Sequence, residues 1–122
     1  MKVLGLDHVQ LAMPPGSENG ARSFYGDVLG MKEVSKPKAL AGRGGCWFSS
    51  GAAQIHLGVE EDFRPAQKAH PALVVEGMDE ILTRCERAGF PSRPDADVDG
   101  RLRVHVFDPF GNRLELIEAQ KV

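Results

Sequence analysis

The sequence predicts an α+β fold of two tandem βαβββ modules, with cupped mixed or antiparallel sheets and the helices on the outer face. Three observations point there. The order strand, helix, three strands occurs twice, at a period of about 60 residues. Nearly every strand alternates between an aliphatic face and a mixed one. Each copy contains a single amphipathic stripe of helical period. The chain has 122 residues, enough for one ordinary domain. Module one spans about 3–59, a polar linker 60–69, and module two about 70–119.

In the first module, LDHVQLAM (6–13) alternates as a strand and PPG (14–16) stops it. Ser17 is the expected N-cap of a helix reaching Leu29, with Ala21, Phe24, Tyr25, Val28 and Leu29 on one stripe. Gly30 is the expected C-cap. Gly20 and Gly26 each weaken this helix by about 1 kcal/mol relative to Ala, so packing must hold it. Residues 31–35 read as a short strand, 36–45 as a glycine-rich basic loop, and 46–50 and 53–59 as strands around Gly51.

The second module repeats the order. HPALVVEG (70–77) is a strand. MDEILTRCERAG (78–89) is a helix with Met78, Ile81, Leu82, Cys85 and Ala88 on its apolar face. Residues 90–93 read as a short strand and 93–100 as a loop. RLRVHVF (101–107) and RLELIEA (113–119) are strands joined by the turn DPFGN.

Superposing the copies lays His8 on His70, and His56 on Glu115. In each case the polar residue opposes an aliphatic face: Val9 and Leu11 against His8, Ile55 and Leu57 against His56, Leu73 and Val75 against His70, Leu114 and Leu116 against Glu115. The aliphatic faces must take the helices. The second face then carries histidines, Gln10 and one glutamate beside the small residues Ala12, Gly58 and Ala72. A merely solvated face would carry Lys, Glu, Thr and Ser. Three imidazoles and a carboxylate at repeat-related positions suit a divalent metal, Fe²⁺, Zn²⁺, Ni²⁺ or Mn²⁺, with open positions for a substrate. Taken singly, each histidine reads as a surface or hydrogen-bonded residue.

Other residues carry less. Arg101 and Arg103 alternate onto the same face, as solvated edge residues or as a clamp for a carboxylate or phosphate. His105 lies on that face too, as a partly buried rim residue or a spare ligand. One of Trp47 and Phe48 should face the cleft, and Phe107 and Phe110 lie near its mouth or in the core. The G-R-G-G run lacks the following helix and G-K-[ST] ending of a phosphate loop.

Composition excludes several classes. A net charge of −2 without a Lys/Arg run argues against nucleic acid as partner. No apolar run is long enough to cross a membrane as a helix, and the polar residues Asp7, His8 and Gln10 interrupt any leader-like stretch. Cys46 and Cys85 lack metal-type spacing and read as buried thiols of a cytoplasmic protein.

With His8, FYGDVLG (24–30), His70 and DPFGNRLEL (108–116) in view, the chain resembles the vicinal oxygen chelate superfamily over essentially its whole length. That group contains glyoxalase I, extradiol ring-cleaving dioxygenases, methylmalonyl-CoA epimerase, and fosfomycin and bleomycin resistance proteins. The paired motifs F-Y-x-x-x-L-G and D-P-x-G-x-x-x-E are specific to the superfamily rather than to one member. The resemblance implies a divalent metal on His8, His56, His70 and Glu115, acting on vicinal oxygens of a small substrate. It also implies a homodimer.

Departures from the members' patterns matter. Glyoxalase I has a carboxylate at the position of His56, so here Glu115 alone would remain as the carboxylate base, with His56 as ligand or proton carrier. Ring-cleaving dioxygenases use two histidines and a glutamate, which His8, His70 and Glu115 supply. Their second-layer tyrosine has no counterpart, since Tyr25 is expected to pack away from the cleft. Bleomycin-binding members lack the metal ligands. The sequence therefore implies a metal-dependent enzyme of lyase, isomerase or dioxygenase type, with Glu115 and His56 as catalytic candidates. The alternative is an antibiotic-binding resistance protein without turnover.

Overall fold

A computed structural model of the chain describes residues 1–120. The chain forms two compact units, Met1–Phe63 and Arg64 onward. In the first, β1 (Val9–Met13) is followed by a helical segment, α1 (Glu18–Ala21) passing directly into a π-type run over Arg22–Val28. Then come β2 (Lys32–Val34), a 3₁₀ turn over Lys38–Arg43, β3 (Cys46–Ser50) and β4 (Ala53–Val59). The second contains β5 (Ala72–Val75), α2 (Met78–Ala88), β6 (Ser92–Pro94), β7 (Arg103–Phe107) and β8 (Arg113–Glu118). Each unit is thus a βαβββ module, as the repeat predicts.

The sheets are mixed and have the same topology, β1-β4-β3-β2 and β5-β8-β7-β6. The first strand of each module lies parallel to the fourth, and the remaining pairs are antiparallel. The register also repeats. Gln10 pairs with His56 as Ala72 pairs with Glu115, and Trp47 faces His56 as His105 faces Glu115.

In the first unit Phe24, Tyr25, Phe48, Ile55, Leu57 and Met13 are fully buried, and Tyr25 stacks on Phe48 at 5.6 Å. This is the helix-side core, and it takes Tyr25 as predicted. Burial pushes the Cys46 thiol up to about 11, so it behaves as an apolar core residue. In the second unit Met78, Ile81 and Cys85 of α2 are buried together with Val104, Val106, Leu114 and Leu116.

Several boundaries differ from the sequence reading. The helix predicted over 17–29 is widened after Ala21: Met31 N–H donates to the Tyr25 carbonyl at 2.9 Å across the end of the run. The two glycines and the crowded Phe24–Tyr25 pair favour this looser winding. Strands predicted from residues 6, 70 and 101 begin at Val9, Ala72 and Arg103. Arg101 instead forms a two-residue bridge with Val98. Ala88, placed on the apolar face of α2, is exposed: it is the last helical residue, directly before the C-cap Gly89.

Two motifs prove architectural. In FYGDVLG, Phe24, Tyr25 and Val28 fill the core, and Gly30 takes φ +70° to leave the helix. In DPFGN, buried Asp108 accepts hydrogen bonds at Oδ1 from the Phe110 and Asn112 backbone N–H groups, at 2.9 and 2.8 Å. Its Oδ2 accepts from the Asn112 side-chain amide at 2.9 Å. Gly111 supplies φ +90°. The turn delivers Arg113 opposite Phe107, which fixes everything downstream in β8.

Candidate metal centre

In the second unit, β8 and β7 carry Glu115 and His105 on directly opposed positions, and the approach to β5 carries His70. Among the described residues, these three are the metal-ligating side chains that converge, with ligand atoms within 4.8 Å of one another. Glu115 Oε1 lies 3.1 Å from His70 Nε2 and 3.6 Å from His105 Nε2. The His70 and His105 rings meet edge to face, 5.3 Å apart. Donors about 2.1 Å from one ion, at right angles, stand about 3 Å from each other, so the spacing suits a shared cation.

His70 gives the sharper test. Its Nδ1 lies 2.7 Å from the Lys68 carbonyl oxygen, which can only accept. Nδ1 therefore carries a proton and donates, while Nε2 either donates to the carboxylate, when the ring is protonated, or offers its lone pair to a cation, when it is neutral. Two acceptors at 3.1 Å need a proton or a cation between them. A backbone carbonyl that fixes the tautomer in this way is the usual support for a metal-binding histidine. Two imidazoles and one carboxylate are also the donor set suited to Fe²⁺, Mn²⁺, Zn²⁺ or Ni²⁺.

Burial and neighbouring charges shift two members of the cluster. Burial is the largest single influence on Glu115 and pushes its carboxyl up, but hydrogen bonds to His70 and Arg103 bring it below the usual range. Burial, then the Arg113 charge, pushes His105 down, toward the neutral imidazole a metal requires. Arg103 spans two carboxylates, with Nη1 3.3 Å from Glu115 and Nη2 3.3 Å from Asp95. Arg113 Nη2 stands 3.2 and 3.3 Å from the two ring nitrogens of His105.

The first unit builds the equivalent positions differently. His56 is sandwiched between His8 and Trp47, with ring centroids 4.1 and 3.8 Å away. Its Nε2 donates to Gln54 Oε1 at 3.3 Å, and burial followed by the nearby His8 pushes its pKa down. His8 lies just before β1, exposed, with Nδ1 2.8 Å from Asp7. The tryptophan thus faces the mixed side and Phe48 the core, which settles the pair left open by alternation.

Of the predicted ligands, then, His70 and Glu115 come together in the second unit, and His8 and His56 in the first. His105 joins the former pair as the ligand candidate that alternation placed on this face without a partner. Its signal was the hairpin register: with Phe107 opposite Arg113, His105 must stand opposite Glu115. Of the two arginines considered as an anion clamp, Arg103 belongs to the cluster and Arg101 stands apart from it, lining a separate cleft with Asp99 and Glu118.

Two β-α-β-β-β modules of the same topology, one of them gathering His70, His105 and Glu115, define the class of fold. The chain belongs to the Glyoxalase/Bleomycin resistance protein/Dioxygenase superfamily, whose sequence model matches residues 5–116. No protein with a curated description matches it. Among solved structures, it is similar to a protein assigned to the glyoxalase family from Bacillus anthracis, 45% identical over 98% of both chains, TM-score 0.90. The fold also matches the fosfomycin resistance protein FosX of Listeria monocytogenes, 16% identical over 98% of this chain and 96% of that one, TM-score 0.76. Lactoylglutathione lyase of Agrobacterium tumefaciens matches at 23% identity over 91% and 92%, TM-score 0.63.

Proposed function

We propose that the chain is a metal-dependent enzyme acting on a small oxygen-rich substrate, with His70, His105 and Glu115 as ligands in the second unit. His8 and His56 are the ligands the first unit offers. The observation that carries the reading is the convergence of His70, His105 and Glu115, whose ligand atoms lie within 4.8 Å of one another, with His70 Nε2 3.1 Å from Glu115 Oε1. A bound divalent ion would supply Lewis acidity toward substrate oxygens. The chain's own groups do the rest. Glu115, held ionised, is the base candidate, and neutral His56 can accept a proton. Arg103 Nη1, 3.3 Å from Glu115 Oε1, holds that oxygen in place.

Mn²⁺ is the ion to try first, because a FosX variant of the same fold was crystallised with Mn(II) and dihydroxypropylphosphonic acid. Lyase, isomerase and dioxygenase chemistry all fit this donor set. A second reading, binding without turnover, draws support from the two guanidinium groups. Arg103 and Arg113 stand within 3.3 Å of Glu115 and His105 and compete with a cation there. Elemental analysis of protein purified without chelator separates the two readings. The enzyme reading expects close to one equivalent of a divalent transition metal. Less than a tenth of an equivalent, with none taken up on addition, leaves only the binding reading.

The reading also includes a homodimer, supported by Met1, Val3, Leu4 and Leu6, whose side chains stand fully in water in the single chain.

A further inference from the structure

The first unit contains a cleft of about 270 Å³ that the metal reading does not use. Its walls include Gln10, Lys36, Leu40, Arg43, Trp47 and Gly58. The basic loop over 36–45 contains the G-R-G-G run, which lacks the features of a phosphate loop. In the structure that loop is folded over the sheet and tied down at several points. Leu40 N–H donates to the Pro37 carbonyl at 2.9 Å, the Lys36 ammonium donates to the Gly44 carbonyl, and Gly45 N–H donates to Glu18 Oε2 at 2.9 Å.

Two glycines make the cleft possible. Gly45 sits at φ +83°, and a Cβ there would collide with the Leu57 carbonyl, so only glycine lets the loop lie so close to β4. At Gly58 a Cβ would collide with the Gln10 side-chain amide, so the absent side chain is what lets that amide lie across the floor.

The lining has a clear chemical bias. Lys36 and Arg43 are its ionised groups, and both are cationic. Lys36 spends one donor on Gly44 and keeps two. Arg43 makes no ion pair among the described residues, which leaves its planar fork available. Glu18, the nearby carboxylate, is already engaged by the Gly45 N–H, which is the main cause of its lowered pKa. Gln10 adds an amide and Trp47 an indole. Both are in-register neighbours of His56, so the cleft adjoins the His8–His56–Trp47 stack. Its volume lies just below the range of drug-sized sites, which fits a small metabolite or one terminal group of a larger one.

We propose that this cleft, between the 36–45 loop and the Gln10 amide lying over Gly58, binds the anionic group of the substrate, a carboxylate, phosphonate or phosphate held by Lys36 and Arg43. It rests on the enzyme reading only in calling the anion a substrate. Anion binding itself stands on the first unit alone.

Trp47 is the single tryptophan of the chain, so its emission reports on the cleft directly. Chelator-treated protein is titrated with inorganic phosphate, methylphosphonate and acetate at constant ionic strength, with chloride as the control. At least one of the three is expected to change the emission saturably while chloride does not. Arg43→Ala and Lys36→Ala should each weaken that response about tenfold or more, and Arg43→Lys should restore part of it. Because the titration is done without metal, failure of the metal reading leaves it unaffected. A response equal to that of chloride, or one unchanged in both alanine variants with native far-UV circular dichroism, overturns the proposal.

Discussion

His56 is an imidazole kept neutral by its surroundings: burial pushes its pKa down, and the adjacent His8 adds to this. His105 is displaced in the same direction, by burial and by Arg113. A group whose folded pKa lies below its unfolded one adds stability above the unfolded value, about 6.5 for histidine, and that stability is lost as pH falls through the lowered folded value. The urea midpoint of metal-free protein is therefore expected to fall from pH 7 toward pH 5. His56→Gln removes one of the responsible groups and should make the fall shallower. An unchanged slope in the folded variant would show that the stacked imidazole is not held neutral. At this scale the sequence was informative wherever period-two alternation applied: Glu115 lies buried on the face opposite Leu114 and Leu116, as its strand position implies. It placed Arg103 on that face but did not say what its guanidinium, or that of Arg113, would reach. Their lengths let the guanidinium groups reach back to Glu115 and His105, and alternation says nothing about where a long side chain ends.

Elements place the site through their ends and turns. The DPFGN turn is held by three hydrogen bonds to one buried carboxylate, and it sets which residue of β8 faces which residue of β7. Asp108→Ala removes both acceptor oxygens, and with them all three hydrogen bonds, and leaves the Asn112 amide without that partner. It is expected to cost about 2–4 kcal/mol of stability in urea denaturation. Because it loosens the register, metal affinity should drop as well. A loss under about 0.5 kcal/mol would mean that the turn is held by other contacts. This is also where the sequence could have yielded more than alternation gave. The turn's length and its Asp–Pro–x–Gly–Asn chemistry fix a hairpin pairing, and that pairing puts His105 across from Glu115 without any coordinates. The widened helix over Arg22–Val28 was not legible in this way. Its apolar stripe fits a regular helix nearly as well, and the choice is made by how Phe24 and Tyr25 pack.

At the scale of the whole chain, the duplicated module was the most legible feature, because each copy had to repeat the same order of periodicities to bury two helices. The paired register shows why His8 matches His70 and His56 matches Glu115. What the sequence could not supply was the chemical difference between the copies. One opposes its fourth-strand site residue with Trp47 and stacks rings around His56. The other opposes it with His105 and gathers charge around Glu115. The homodimer proposal is checked by light scattering, which should give twice the mass of 13.3 kDa. A monomer at all concentrations would contradict it.

The central claim is that His70, His105 and Glu115 hold a divalent cation. Competition of the protein against a chromophoric chelator for Mn²⁺ and Zn²⁺, with Glu115→Gln and His105→Ala beside wild type, tests it directly. The expected result is saturable one-to-one binding that each substitution weakens about tenfold or more. Wild-type affinity retained by both folded variants would contradict it.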